Sequence, residues 1–202
     1  MERWEINGDI LEFDEETHTY WVNGEEKKSV TQVLKMKFAH KYDGVDEATL
    51  KKAAEKGSWV HETIEVYEKY GIASNEVQEF RDYMFLKKFF KFEVRENEIP
   101  IILKYKDLTV CGRIDLVLQE DQVYGPTTGL GDIKCTSAFD KEYLACQLNL
   151  YRLGYQQSYG EEIKFLRGLH LKNGKRKYAD IPINEKAAIE LLEQYIGAEG
   201  NE

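Results

Sequence analysis

Two apolar segments in the middle of the chain each carry an acidic residue where a strand core calls for an apolar one. Asp115 interrupts the run 112–118, and Asp132 lies within 130–136, two residues before Lys134. Because side chains alternate along a strand, Asp132 and Lys134 share one face. A carboxylate and an ammonium group are costly to bury in a sheet without partners. The segments therefore predict a polar site on neighbouring strands, although an Asp–Lys pair on a solvated sheet face has the same spacing.

Hairpin and helix signals surround these two segments. Alternation predicts strands at about 92–104, 109–118, 130–136, 163–171 and 176–183, besides one or two hairpins within 10–30. Helical periodicity marks segments at about 30–37, 46–70, 75–91, 140–159 and 185–197. Asn23-Gly24 and Asn173-Gly174 are hairpin turn signals. We expect Gly57 to divide the second helical segment in two, and Gly125-Pro126 and Gly129 to form the turn before the strand of Asp132.

This order of elements is typical of an α/β or α+β domain with a three-layer core, in which a mixed sheet lies between helices. No linker, repeat or low-complexity segment interrupts the 202 residues, so we expect one domain over residues 1–202. Its predicted parts are an N-terminal region of hairpin and helices over 1–91, a core over about 92–183, and a C-terminal helix over 184–202.

The charge distribution gives two opposing indications about nucleic acids. The net charge of −9 argues against a nucleic-acid binder, because phosphate contacts need lysine and arginine. However, residues 164–178 hold six basic residues and no acidic one. These fit contacts to duplex phosphates, for which the candidates are Lys172, Lys175, Arg176 and Lys177. A lysine-rich hairpin that only blocks edge pairing of a sheet has the same composition.

Cysteine content and hydropathy restrict the class of protein further. The three cysteines form no C-x-x-C pair, which argues against a disulfide framework, a zinc knuckle and a cysteine-bound cluster. No apolar run is long enough for a membrane span, and the N-terminus has no apolar signal-peptide core. We therefore expect a cytoplasmic protein without a membrane partner.

Other residues with useful chemistry lie around the two acidic segments, and each has an ordinary alternative. His61 follows Gly57 by four residues, and the alternative is a pairing with Glu65 on a helix surface. Glu98 precedes an apolar run, and Glu96 is an equally spaced alternative. Gln147 and Tyr151 share one face of a helix, where tyrosine also serves as core packing. Arg113 lies on the strand face of Asp115 and could contact phosphate or a carboxylate.

Taken in chain order, these residues resemble the PD-(D/E)xK nuclease superfamily. The motifs are G-x-x-x-H at 57–61, Glu98, G-R-I-D at 112–115, D-I-K at 132–134 and Q-x-x-x-Y at 147–151. The set is most similar to RecB-type nuclease domains, Cas4-type proteins and phage-type exonucleases, over about residues 29–159. The resemblance implies a restriction-endonuclease-like fold and phosphodiester hydrolysis that depends on Mg²⁺ or Mn²⁺.

The resemblance also implies a role for each residue. The catalytic set would be Asp115, Asp132, Lys134, Gln147 and Tyr151. The metal ligands would be His61, Glu98, Asp115, Asp132 and the backbone carbonyl of Ile133. Lys134 would orient or deprotonate a water or neutralise the phosphate, Gln147 would orient the lysine or the phosphate, and Tyr151 would contact the DNA backbone. Hard oxygen ligands suit Mg²⁺, which agrees with the two aspartates.

We therefore expect a metal-dependent deoxyribonuclease, most similar to a phage-type exonuclease that acts on DNA ends in recombination or repair. One alternative is a catalytically silent nuclease fold that binds DNA or protein, and another is an enzyme for RNA or a small phosphodiester. The absence of cysteine from residue 147 onward departs from the iron–sulfur cluster of Cas4-type proteins. The resemblance admits a homo-oligomer and a single-strand annealing recombination partner, neither of which the sequence itself indicates.

Overall fold

The computed structural model describes residues 1–41, 43–122 and 125–199. The strands within these ranges are β1 (Glu2–Ile6), β2 (Asp9–Asp14), β3 (Thr19–Val22), β4 (Glu25–Ser29), β5 (Glu93–Tyr105), β6 (Leu108–Gln122), β7 (Gly125–Lys134), β8 (Phe165–Lys172) and β9 (Lys175–Ile181). The helices are α1 (Val30–Lys37), α2 (Glu47–Tyr70), α3 (Gln78–Phe90), α4 (Lys141–Tyr159) and α5 (Glu185–Glu199). The last three residues of the predicted C-terminal helix segment, 200–202, lie outside the described residues.

The strands form one mixed nine-stranded sheet in the order β1-β2-β3-β4-β6-β7-β8-β9, with β5 on the other edge of β6. Neighbours pair antiparallel except β4 with β6 and β7 with β8, which are parallel. The parallel pair β7–β8 is connected by α4, which is the crossover that a parallel connection requires. The predicted mixed sheet between helices is therefore confirmed.

Helices cover both faces of the central strands and so make the three-layer α/β core. One apolar cluster joins α1, α4 and α5 to one face, with Leu148 and Leu192 fully buried. A second cluster joins α2 and α3 to the opposite face around Phe80 and Tyr83. A third, smaller cluster lies under β1–β3, around Leu11. Among the described residues, no helix combines the length and apolar composition needed to cross a membrane.

One edge of β6 is shared between two strands, and the space between them forms the candidate site. Strand β4 pairs with this edge through Val110 and Cys111, whereas β7 pairs with it from Leu116 onward. Strand β5 covers the opposite edge along most of its length. Residues 112–115 thus lie where β6 and β7 diverge, facing residues 132–134 of β7. We call this opening, residues 112–115 and 132–134, the fork.

Two glycine-based expectations were wrong. Helix α2 runs unbroken from Glu47 to Tyr70 through Gly57. A single helical glycine costs only about 1 kcal/mol, and burial of Val60 and Ile64 against the sheet holds the helix past it. Residues 125–129 belong to β7 rather than to a turn, and Gly129 is needed there because a side chain would meet the Phe165 ring at 2.2 Å.

Candidate metal centre

Asp115 is placed at the fork by the divergence of the two strands. Its Oδ2 accepts a hydrogen bond of 2.7 Å from the backbone N–H of Ile133, which lies on β7. In a regular sheet this N–H would donate to a backbone carbonyl of the neighbouring strand. Here the Asp115 carboxylate accepts the hydrogen bond instead. The side chain is 14% exposed and its other oxygen is left for another group.

Asp132 and Lys134 lie together on β7, as their spacing predicts. Lys134 Nζ is 2.6 Å from Asp132 Oδ2, and Asp132 is only 1% exposed. Lys134 thus engages Oδ2, whereas Oδ1 is buried with no hydrogen-bond partner among the described residues. A buried carboxylate oxygen without a donor is unfavourable, so Oδ1 of Asp132 is an indication that the fork suits a cation.

His61 and Glu98 complete the cluster from α2 and β5. His61 Nδ1 is 3.7 Å from Asp115 Oδ2 and 3.9 Å from Glu98 Oε1, and one potential ligand atom from each of the three residues lies within 4.8 Å of the others. Its other ring nitrogen, Nε2, lies 3.1 Å from the carbonyl oxygen of Ile133. His61 therefore faces the fork rather than Glu65, which pairs with Lys69 instead.

Glu98 reaches the cluster because β5 is irregular at this point. A register shift lies between Val94 and Glu96, and Glu98 itself has a left-handed backbone with φ of 52°. Non-glycine residues seldom adopt this conformation, and they do so most often where the surrounding structure enforces it. Arg113 holds the turned side chain through a 3.1 Å contact between its Nε and Glu98 Oε2. Glu96 is exposed, so only Glu98 of the two predicted alternatives lies at the fork.

Arg113 also ties the fork to the N-terminal strand. Its Nη1 donates to Glu2 Oε1 at 2.7 Å, and its guanidinium lies 5.0 Å from the centre of the Phe13 ring. Both contacts are within the chain. Of its two predicted partners, phosphate or a carboxylate, Arg113 therefore contacts carboxylates here, those of Glu2 and Glu98. Strand β1, and hence Glu2, was not among the predicted elements, although Asn7-Gly8 is a hairpin turn signal of the same kind as Asn23-Gly24.

The charges of the cluster strongly influence one another. Burial raises the pKa of Asp132 to about 6 against the opposing effect of Lys134, and burial also raises the pKa of Asp115. Burial disfavours a charged His61, but Asp115 and Glu98 outweigh it and raise the pKa of the imidazole to about 9. The pKa of Lys134 is raised because Asp132 and Asp115 outweigh its desolvation. The fork thus gathers three carboxylates, the His61 imidazole and the Lys134 ammonium in a poorly solvated space.

Helix α4 closes the fork from the other helical layer. Gln147 Nε2 donates to the hydroxyl of Tyr151 at 3.4 Å, and Gln147 Oε1 is buried without a hydrogen-bond partner among the described residues. The Tyr151 ring packs over Gly112, where a Cβ would lie 2.7 Å from the ring. Burial raises the pKa of Tyr151 well above its usual value, and the nearby carboxylates raise it further. Tyr151 is thus a core residue whose hydroxyl end faces the site.

The basic hairpin, residues 164–178, lies beside β7: its first strand pairs with β7 as far as Lys134, and its tip extends past that end. In the strand registers, Lys134 of β7 lies opposite His170 of β8, and His170 lies opposite Lys177 of β9. Lys177 is therefore about 10 Å from Lys134, across two strand spacings. Lys172 and Lys175 flank the hairpin turn. Arg176 points to the opposite face, where it contacts the buried Asp82 at 3.0 Å. Only Lys177 among these four residues is thus in register with the fork.

Comparisons with known proteins add little to this geometry. No protein-family model matches the sequence, and no curated protein matches it. A solved structure described as "Crystal structure of SSO0001" aligns with 85% of this chain and 75% of its own length, at 13% identity and a TM-score of 0.46. The chemistry of the site therefore rests on its own residues.

Proposed function

We propose that this chain is a divalent-metal-dependent deoxyribonuclease that hydrolyses phosphodiester bonds at DNA ends. The observation that carries the proposal is the state of Asp132, a carboxylate buried at the fork whose Oδ1 has no hydrogen-bond partner among the described residues. Lys134 is its ion-pair partner but leaves Oδ1 open. A hard cation at the fork would satisfy Asp132 and Asp115 together.

The donors at the fork fit Mg²⁺ or Mn²⁺. Asp115, Asp132 and the carbonyl of Ile133 would hold the ion, with Glu98 and His61 as further donors from the facing elements. Carboxylate and carbonyl oxygens are the ligands that these ions prefer. Such an ion, when bound, polarises a scissile phosphate and lowers the pKa of an attacking water.

The chain's own residues supply the remaining functions. Lys134 stays charged because two aspartates face it, so it donates hydrogen bonds to the attacking water or to a phosphate oxygen. Gln147 has an unpartnered buried oxygen and lies beside Tyr151, which suits it to orient the lysine. The resemblance of the ordered motifs to phage-type exonucleases supports DNA ends as the substrate.

The test is hydrolysis of linear, nicked and circular DNA in Mg²⁺ or Mn²⁺. We expect linear DNA to be degraded, and Lys134→Ala to reduce turnover by about 10²–10³-fold, as for loss of one transition-state donor. The control Lys186→Ala, an exposed lysine on α5, should retain wild-type turnover. DNA binding without metal-dependent cleavage of any nucleic acid would replace this proposal with a silent binding module, and cleavage of RNA alone would change the substrate class.

A further inference from the structure

The outer face of α3 carries an exposed group of aromatic rings that the fork does not use. Phe85, Phe89 and Phe90 are 45%, 66% and 43% exposed. The rings of Phe85 and Phe89 are nearly parallel, with an interplanar angle of 11° and centroids 5.7 Å apart. Phe90 lies edge-on to Phe89, with centroids 5.0 Å apart. We call these three residues the aromatic platform. Such an exposed cluster of large rings on a protein surface indicates a binding site.

Basic side chains surround this platform. Arg81 and Lys88 are exposed on the helical face of Phe85, at spacings of four and three residues, and Lys91 is exposed at the end of the helix. The two acidic residues of α3, Glu79 and Asp82, are both buried and point away from solvent. In a chain with a net charge of −9, the outer face of this helix is therefore locally basic.

Arg176 of the basic hairpin completes the arrangement. Its guanidinium carbon lies 3.7 Å from the centre of the Phe85 ring, and its Nη1 contacts Asp82 Oδ1 at 3.0 Å. Asp82 is fully buried and also accepts from Gln78, so it holds the guanidinium in place over the ring. The Arg176 guanidinium and the parallel rings of Phe85 and Phe89 are therefore preorganised before any ligand binds. Preorganisation reduces the entropy that is lost on binding.

We propose that the aromatic platform binds single-stranded nucleic acid, outside the fork and without need of a metal ion. Unpaired bases stack on exposed aromatic rings while neighbouring lysine and arginine contact the phosphates, which matches the chemistry of this face. A duplex offers no free base faces, so it is a poor ligand for the rings. Phenylalanine and arginine are also common at the cores of protein interfaces, but lysine is depleted there, so the exposed Lys88 and Lys91 favour a polyanion over a protein partner.

The experiment is fluorescence anisotropy of a fluorescein-labelled oligothymidylate, with EDTA present so that metal binding and cleavage play no part. Phe89→Ala should weaken binding on the order of ten-fold, which is the effect of losing one stacked base. Phe89→Trp should retain affinity, whereas Phe89→Leu should not, because leucine is apolar but has no flat ring. The control Tyr70→Ala removes an equally exposed ring from the end of α2 and should bind as wild type. Thermal melts should show that all four variants fold.

Two further measurements separate the ligand classes. Lys88→Gln should reduce the slope of log affinity against log salt by about 0.7, as for loss of one phosphate contact on a single strand. A blunt duplex of the same length should bind wild type and Phe89→Ala equally. The proposal would be overturned by unchanged oligothymidylate affinity in Phe89→Ala, or by full affinity in Phe89→Leu. It would also be overturned if Phe89→Ala only converted a dimer into a monomer, which would make the platform an interface between copies. Because the assay contains no metal, a negative result would overturn the proposal for the aromatic platform without bearing on the proposed hydrolysis at the fork.

Discussion

Strand β6 carries two largely buried carboxylates, Asp115 and Glu120, whose surroundings differ. Glu120 accepts from Arg167 Nε at 2.8 Å, from Arg167 Nη2 at 2.6 Å and from the Tyr178 hydroxyl at 2.7 Å. Asp115 accepts one backbone N–H, and its neighbour Asp132 pairs with Lys134 through Oδ2 while its Oδ1 has no partner within the described chain. Asp115 and Glu120 lie on the same strand, yet of these two surroundings only the fork contains a buried carboxylate oxygen, Asp132 Oδ1, with no partner among the described residues.

The difference separates a structural ion pair from a site prepared for a ligand. A bidentate arginine and a tyrosine neutralise and orient Glu120 completely, so nothing else is needed there. At the fork, three carboxylates approach one another although their mutual repulsion and burial disfavour folding. Such an arrangement is stable only if other interactions of the fold maintain it, which is typical of functional sites. Four experiments test this contrast.

The largest expected effect is on stability at the structural pair. Glu120→Ala should lower the free energy of unfolding by about 3 kcal/mol, because the largely buried Arg167 would keep only its contact with the exposed Asp180. Asp132→Asn should leave the metal-free protein as stable as wild type or more stable. Urea unfolding in EDTA measures both. A loss of several kcal/mol in Asp132→Asn would show that its charge is structurally satisfied and would remove the contrast.

Metal addition should act on the fork alone. Mn²⁺ at about one hundred times its dissociation constant should stabilise wild type by about 2.7 kcal/mol, since it binds the folded state. This gain in stability on adding Mn²⁺ should disappear in Asp132→Asn. It should persist in Glu120→Gln, even though Glu120→Gln should itself be less stable than wild type. Thermal shift assays and calorimetry provide the measurement. Equal increments in both variants would place the metal elsewhere.

Arg113 should act on metal binding through Glu98. Arg113→Lys keeps the positive charge but loses the planar group that reaches both Glu98 and Glu2. We expect Mn²⁺ affinity to fall by about 10-fold, within the range for outer partners of metal ligands. Glu2→Gln, which removes only the outer contact, should have the smaller effect. If DNA affinity in EDTA fell while Mn²⁺ affinity did not, Arg113 would contact phosphate instead.

The pH dependence should give the smallest signal. Because the pKa of Asp132 is raised from 3.8 to about 6, its ionisation opposes folding of the metal-free protein. The stability gained by Asp132→Asn should therefore grow as the pH rises from about 4 to 6, and stay constant above that range. Urea unfolding at several pH values in EDTA follows this difference. A gain that is flat with pH would show that Asp132 ionises as readily as in the unfolded chain.

Local chemistry made several elements predictable. Asp46 and Asp140 cap α2 and α4 through hydrogen bonds to backbone N–H groups, and Ser29 forms a capping box at the start of α1. Asn23 and Asn173 have the positive φ that their hairpin turns need. Gly57 and Gly129 could not be assigned from local preference, because the burial of Val60 holds the helix past Gly57 and the Phe165 ring occupies the space beside Gly129.

The sequence by itself determined that Asp132 and Lys134 share a strand face, that Gln147 and Tyr151 share a helix face, and that an α/β core holds both. These follow from the two-residue and 3.6-residue periods, which depend only on neighbours in the chain. Only the tertiary structure decided that β6 and β7 diverge at Asp115, that the irregular β5 presents Glu98, and that Arg113 is engaged internally by Glu2. Those outcomes depend on strand registers and on contacts between segments far apart in sequence, where periodicity carries no information.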